Sequence, residues 1–416
     1  MQRYLCHREG ALIDRLRDAA DASAIAQRVA AAPSSIPFSE ELLAFTSELS
    51  GVILSDRRSR PLPEVVALGY WLRPASMRTL ADRFAGLNSS HALRVPVGLA
   101  LHIPPANVDP IFAYSWILSL LCGNCNIVRA PSRRGAVAEL LMTQIDQVLP
   151  HYSTLASSTA FVEYGHEDSI TEALSAQAGV RVIWGGDETI RHIRALPLPP
   201  RAKEIAFADR YSFAVIAAPA FLALDDGAAK GLMDHLYLDV FLFNQMACSS
   251  VRLLAWCGTS EDTHRAAGRA IPLLRQAIKQ RQFSPEAADA LAKYAACLRL
   301  ALELPVAGID WGRGDLAVVD LKEDEPLNWP TEPLVGGGLL LQAHVAELAS
   351  LTPMIDSRAQ TLAQFGFEVE QLAHFLRMLN GRGIDRIVPL GSAMSFAPIW
   401  DGYDLLCEFT RLVTIG

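Results

Sequence analysis

The chain has 416 residues, 51% hydrophobic and 20% charged, with a formal net charge of −8. This usage excludes a disordered chain, a collagen-like repeat and a small disulfide scaffold, and at roughly 100–200 residues per domain the length accommodates two to four structural units. A pI of about 5.7 argues against a dominant nucleic-acid surface, which needs a basic footprint.

Residues 1–31 carry helical periodicity, a Ser/Pro-rich loop follows at 33–37, and a second helix is predicted through residue 49. Residues 55–63 are polar and proline-punctuated, the mark of a surface loop. From residue 94 the pattern changes. Short apolar runs at 95–103, 126–131, 160–164 and 180–186 read as strands. They alternate with helical stretches at 109–122, 134–149, 167–177 and 187–196, the last opened by Asp187 as N-cap. That alternation predicts βαβ units and a mostly parallel sheet. The second half repeats the style, with strands at 213–219, 251–256, 316–320, 337–342 and 385–390 and helices at 224–243, 260–280 and 284–302. The expected fold class is therefore α/β, with two α/β domains: residues 1–214 with the nucleotide-type sheet, residues 215–390, and a C-terminal segment 391–416.

The mean hydropathy of +0.20 fits a buried parallel sheet, and the apolar helices at 111–121 and 236–243 would serve either as core or as the lining of a fatty tunnel. The longest apolar run, 111–122, is too short for a bilayer, which takes about 20 residues. The N-terminus is charged and lacks an apolar leader core, and seven irregularly spaced cysteines form no disulfide pattern. A reduced, cytoplasmic setting is expected.

Four segments carry potential chemistry. Cys248, in the small-residue turn FNQMACSS before a strand, offers a nucleophilic thiol, although a buried inert cysteine is the commoner use of the residue. Asn107, in HIPPANVDP between a strand and a helix, offers either an amide for an oxyanion or an ordinary turn. Arg129, Ser132 and Arg133, at the exit of a strand, suit a ribose or an adenosine 2′-phosphate, or form a solvated loop. Gly185 and Gly186 let backbone N–H groups approach a pyrophosphate at a helix start, or simply make the strand-to-helix turn; no GxGxxG is present. The CxxC pair Cys122/Cys125 lacks a second ligand pair, so no metal is expected; HExxH and GxSxG are absent as well.

Taken together, the segments at 95–134, VIWGGDETIR, FADRYSF, NQMACSS and the stretch 383–406 resemble the LuxC-type acyl-CoA reductases, a branch of the aldehyde dehydrogenase superfamily. The resemblance implies an aldehyde dehydrogenase-like fold whose C-terminal segment returns to the interface. It also implies a homo-oligomer. It assigns Cys248 as nucleophile and Asn107 as oxyanion donor. Arg129, Ser132, Arg133, Gly185 and Gly186 would hold the cofactor, with Ser132 and Arg133 favouring NADPH. The implied reaction is reduction of an acyl-CoA or acyl-carrier-protein thioester, with a long chain, to the aldehyde through an acyl-Cys248 intermediate. The Glu-Leu-Gly-Gly general-base motif of the oxidising enzymes is missing; the aligned stretch is IAFADRYSF, with Glu204 and Asp209 nearby. Two alternatives stay open: aldehyde oxidation with one of those acids as base, and a non-catalytic acyl-binding subunit.

Overall fold

The computed structural model describes residues 12–105, 110–131, 135–323, 325–331 and 334–416. The chain forms two compact units, one comprising the chain up to Ala208 together with Phe396–Gly416, the other Asp209–Ser395.

The first unit is built on strands β1 (Ile13–Arg15), β3 (Leu99–Ile103), β4 (Cys125–Arg129), β5 (Thr159–Glu163), β6 (Val180–Trp184) and β7 (Lys203–Phe207), with β2 (Ala92–Pro96) outside that sheet. Their order is β1-β5-β4-β3-β6-β7 and every pairing is parallel. From β3 the chain winds outward through β4 and β5, then returns to add β6 and β7 on the other side, so β3 and β6 flank a topological switch point. Ligands of such sheets bind at the carboxyl ends of the strands beside that point. Of the expected helical stretch 1–31, residues 1–11 lie outside the described residues and the rest is not a single helix: β1 joins the edge beside β5, and a helix follows at Ala19–Ala30, capped by the Asp18 carboxylate. The helix Ile111–Leu121 is buried at every position because it is apolar all round. Trp116 packs edge-on against Phe161 at 5.0 Å and Phe45 at 5.8 Å, so this helix is core and not a tunnel wall.

The second unit contains β8 (Tyr211–Ala217), β9 (Val251–Cys257), β10 (Val306–Asp310), β11 (Ala317–Leu321), β12 (Leu339–Val345), β13 (Ala359–Phe365) and β14 (Arg386–Pro389). The order is β10-β11-β12-β9-β8-β13-β14, parallel except for the β10 edge. The boundary expected after residue 214 falls inside β8, which is hydrogen-bonded along its length into this second sheet. Leu236, Tyr237, Val240 and Phe241 of the helix Asp226–Phe241 are buried in the core of this unit rather than lining a channel.

The C-terminal segment packs within the first unit: a hairpin of β15 (Ile399–Trp400) and β16 (Tyr403–Asp404), then β17 (Thr410–Thr414), antiparallel to β2. Its start is later than expected, because residues 391–395 belong to the second unit, where Asp239 accepts from the amides of Gly391 at 2.5 Å and Ala393 at 2.8 Å. Among the described residues no helix is long and apolar enough to cross a membrane.

Candidate active site

Cys248 lies in the turn between the helix Asp226–Phe241 and β9, at the amino-terminal edge of the second sheet. The residue is partly exposed. Gln360, the second residue of β13, donates its Nε2 hydrogen to the sulfur over 3.0 Å. The Thr361 hydroxyl lies 3.3 Å from the Gln360 amide oxygen, which leaves the amide nitrogen facing the thiol. Ser212, near the start of β8, accepts from the Thr361 amide at 3.1 Å and donates to the Cys248 carbonyl at 2.8 Å. Backbone and side chain of Cys248 are thus held from two neighbouring strands. A donor aimed at sulfur favours the thiolate, which is the nucleophilic form.

Arg252, four residues on, supplies positive charge. Burial pushes its guanidinium down to about 10, and a charge on Cys248 acts in the opposite direction. Its Nη1 donates to the carbonyls of Leu334 and Val335 at 2.7 and 2.8 Å, which holds the cation in place.

The backbone leading into the turn is unusual. Phe243, Asn244 and Gln245 all have positive φ, at 56°, 51° and 60°. Each such non-glycine residue costs on the order of 1–2 kcal/mol. The buried Gln245 side chain offsets this with four hydrogen bonds. It donates to the carbonyls of Val251 (3.0 Å) and Leu339 (2.8 Å) and accepts from the amides of Gly338 (3.1 Å) and Leu339 (3.0 Å). The partner segment must be glycine: a Cβ on Gly336 would fall 2.2 Å from the Asn244 carbonyl oxygen.

Other described cysteines are unsuited to the role. Cys122, Cys125, Cys257 and Cys297 are buried, and desolvation raises each thiol's pKa, to about 11 for Cys257 and Cys297. Burial and the neighbouring Asp404 also raise Cys407. The CxxC spacing instead frames a structural turn in which Asn124 accepts from the amides of Val97 and Gly98 and donates to the Phe409 carbonyl.

The proposed cofactor residues fall in the first unit. Gly185 and Gly186 form the exit of β6, beside the switch point, and the exit of β3 is the segment that carries Asn107. Gly186, not Asp187, is the N-cap of the helix Asp187–Arg194; Asp187 and Glu188 fill its first turn. These two carboxylates already complement the helix dipole, so an anion there depends on backbone N–H groups rather than on net charge. Arg129 ends β4 at the same carboxyl edge; its guanidinium donates to the Tyr164 and Gly165 carbonyls and lies 4.5 Å over the Tyr164 ring. Asn107, Ser132 and Arg133 lie outside the described residues. Glu204 is held by two guanidiniums, Arg181 at 2.5 Å and Arg194 at 2.9 Å, and Arg181 is buried. A carboxylate neutralised twice is a structural anchor, not a free base.

Gln360, Arg252, Ser212 and Gln245 are the supporting residues that the sequence reading did not single out. For Gln245 a signal existed, its place three residues before Cys248. Gln360 is 112 positions away and gave none.

A family model described as acyl-CoA reductase (LuxC) matches residues 73–282. A long-chain acyl-protein thioester reductase of Photorhabdus luminescens is 24% identical over 343 residues, which cover 81% of this chain and 67% of that protein. The fold matches that of proline utilization A from Bradyrhizobium japonicum (TM-score 0.66, 17% identity, 96% of this chain). It also matches an indole-3-acetaldehyde dehydrogenase complexed with NAD+ (TM-score 0.65, 13% identity, 96% of this chain and 89% of that one). The chain spans about two thirds of the length of the curated thioester reductase and 45% of the proline utilization A chain.

Proposed function

The chain belongs to the acyl-CoA reductase (LuxC) family, on an aldehyde dehydrogenase-like fold, and from that premise we propose that it reduces a long-chain acyl thioester to the aldehyde through an acyl-Cys248 intermediate. The observation that carries this reading is the partly exposed Cys248 with the Gln360 N–H donated to its sulfur. The thiolate attacks the thioester carbonyl, and an oxyanion forms. We assign its stabilisation to the Cys248 backbone N–H and to Asn107, the latter by resemblance. The donor thiol leaves, and the acyl group stays on sulfur. After reduction, collapse of the hemithioacetal frees the aldehyde and returns the thiolate to its Gln360 donor.

The first unit fits a dinucleotide. Its parallel strand order places the β3 and β6 exits at a switch point, the Gly185–Gly186 turn keeps side chains away from one of them, and Arg129 stands at the same edge. We assign these residues, with Ser132 and Arg133, to a nicotinamide cofactor, and NADPH over NADH because of the basic character of 129–134. The bound cofactor supplies the hydride. The donor is coenzyme A or an acyl-carrier protein. We also expect a homo-oligomer, by resemblance, and a cytoplasmic setting.

Aldehyde oxidation with Glu204 as base is the weaker reading because Glu204 is fully engaged by Arg181 and Arg194. The deciding assay is a donor panel, acyl-CoAs of graded length and an acyl-carrier protein with NADPH or NADH, followed by loss of cofactor absorbance. Consumption with long-chain donors that disappears in Cys248→Ala supports the proposal. Wild-type rates in Cys248→Ala would overturn it, and acylation of Cys248 without cofactor consumption would leave the acyl-binding reading in its place.

A further inference from the structure

At the other end of β9 from Cys248, the second unit gathers a group of side chains that thioester chemistry does not use. His264 stands in the second turn of the helix Ser260–Gln280, His344 near the end of β12, Asp320 near the end of β11, and Glu323 just beyond it. These are carboxyl ends of parallel strands, where ligands of α/β sheets gather.

The two imidazoles stack face to face, with ring centroids 4.2 Å apart and planes inclined by 15°. Coordinating atoms of His264, Glu323 and His344 all lie within 4.8 Å of one another. The His344 side chain is buried, 2% exposed, yet neither ring nitrogen makes a hydrogen bond of normal geometry; Nε2 has Asp320 Oδ1 at 3.3 Å. A buried imidazole in that state is costly without a further partner. His264 is the opposite case: its Nδ1 is 2.9 Å from the Ser260 carbonyl and 3.2 Å from Glu323 Oε1, which leaves Nε2 free to bind a Lewis acid.

We propose that His264, His344 and Glu323 form a binding site for a divalent first-row transition ion of the Zn²⁺ type, with Asp320 as the carboxylate that orients His344. Two imidazoles and one carboxylate are a ligand set such ions accept, and Mg²⁺ and Ca²⁺, which prefer all-oxygen shells, do not. An outer shell is already in place. Trp256 Nε1 is 3.3 Å from Gln342 Oε1, and Gln342 Nε2 donates to Asp320 Oδ1 at 3.2 Å, which fixes the carboxylate facing His344. His264 and Glu323 are both exposed, so their side chains have room to turn toward the buried His344. The bound ion would tie the helix after β9 to the ends of β11 and β12, independently of the reaction at Cys248.

The test uses the full chain, stripped of metal with a chelator and titrated with Co²⁺ and then Zn²⁺. Free thiols also bind these ions, so the Co²⁺ spectrum decides which ligands are used. The expected result is one equivalent bound, visible d–d bands without thiolate charge-transfer absorption, displacement by Zn²⁺, and no response to Mg²⁺. His264→Ala, at an exposed position, should weaken binding at least about 100-fold while the melting temperature of the metal-free protein stays put; Glu323→Gln should weaken it about tenfold. Absence of binding at 100-fold excess, a spectrum dominated by thiolate ligation, or affinity unchanged in His264→Ala would each overturn the site.

Discussion

The Gln360 carboxamide donates a hydrogen bond to the Cys248 sulfur across 3.0 Å, although the two residues are 112 positions apart in the chain. Parallel pairing of β8 with both β9 and β13 creates this contact, since it brings the starts of three strands together at one sheet edge. A hydrogen bond to a charged acceptor is worth about 1.5–3 kcal/mol, so its removal is visible in the reactivity of the thiol. In Gln360→Ala the rate of Cys248 alkylation by iodoacetamide at neutral pH should fall about tenfold. In Gln360→Glu it should fall at least as far, because a carboxylate then faces the thiolate. An unchanged alkylation rate in both variants would show that the contact does not activate the sulfur.

Gln245 secures the strained approach to Cys248. Its loss in Gln245→Ala leaves the amides of Gly338 and Leu339 and the carbonyls of Val251 and Leu339 without this partner, next to three residues at positive φ. Unsatisfied buried groups cost on the order of 1–3 kcal/mol each. We expect urea unfolding to show a loss of about 3–5 kcal/mol, at the upper end for a single substitution.

Glu204 separates structure from catalysis. Glu204→Ala strands the buried Arg181 guanidinium, whose remaining partners are the Ser175 hydroxyl at 3.1 Å and the Leu196 carbonyl at 3.2 Å. Breaking a buried ion pair on one side costs about 3–5 kcal/mol. Chemical denaturation should register that loss, while Cys248 alkylation stays at the wild-type rate. A variant of undiminished stability that loses only aldehyde oxidation would return Glu204 to the role of general base.

Two buried groups give the units opposite responses to acid. Burial lowers His102 from an ordinary value of 6.5 to about 4, with its ring held between Ser115 and Asn126. The unfolded chain therefore takes up this proton first. Its contribution to the stability of the first unit is full above pH 6.5 and lost as the pH falls toward 4, by roughly 3 kcal/mol. Burial raises Asp239 from 3.8 to about 6, against the opposing amides of Gly391 and Ala393. Here the native state takes up the proton first, so stability is greatest below pH 3.8 and falls as the pH rises through 6, by a similar amount. Amide exchange between pH 7 and 4 should show protection declining in β3 and increasing around 391–393. Parallel changes at the two places would contradict this assignment.

Much of the first unit was legible because helix and strand periodicities alternate cleanly from residue 94 to 196, and most expected elements there match within a few residues, while β7 went unread. The misses have physical causes. β1 is three residues long and lies beside a helical pattern, so it has no periodicity of its own. β13, RAQTLAQF with its preceding arginine, mixes polar and apolar residues although it is buried, because Gln360 and Thr361 serve Ser212 and Cys248 instead of solvent. Among the strands that went unread, β13 is the one that carries the donor to the sulfur.

The sequence by itself determined the class of fold, the apolar segments that must be buried, and a small-residue turn in which a thiol stands before a strand, since composition and periodicity are local properties. Only the tertiary structure decided which of the cysteines stays accessible, that Gln360 and Arg252 attend it, and that Glu204 is tied up by Arg181 and Arg194. Those features depend on strand order and register. Register brings residues a hundred positions apart within hydrogen-bonding distance, and no local pattern encodes that distance.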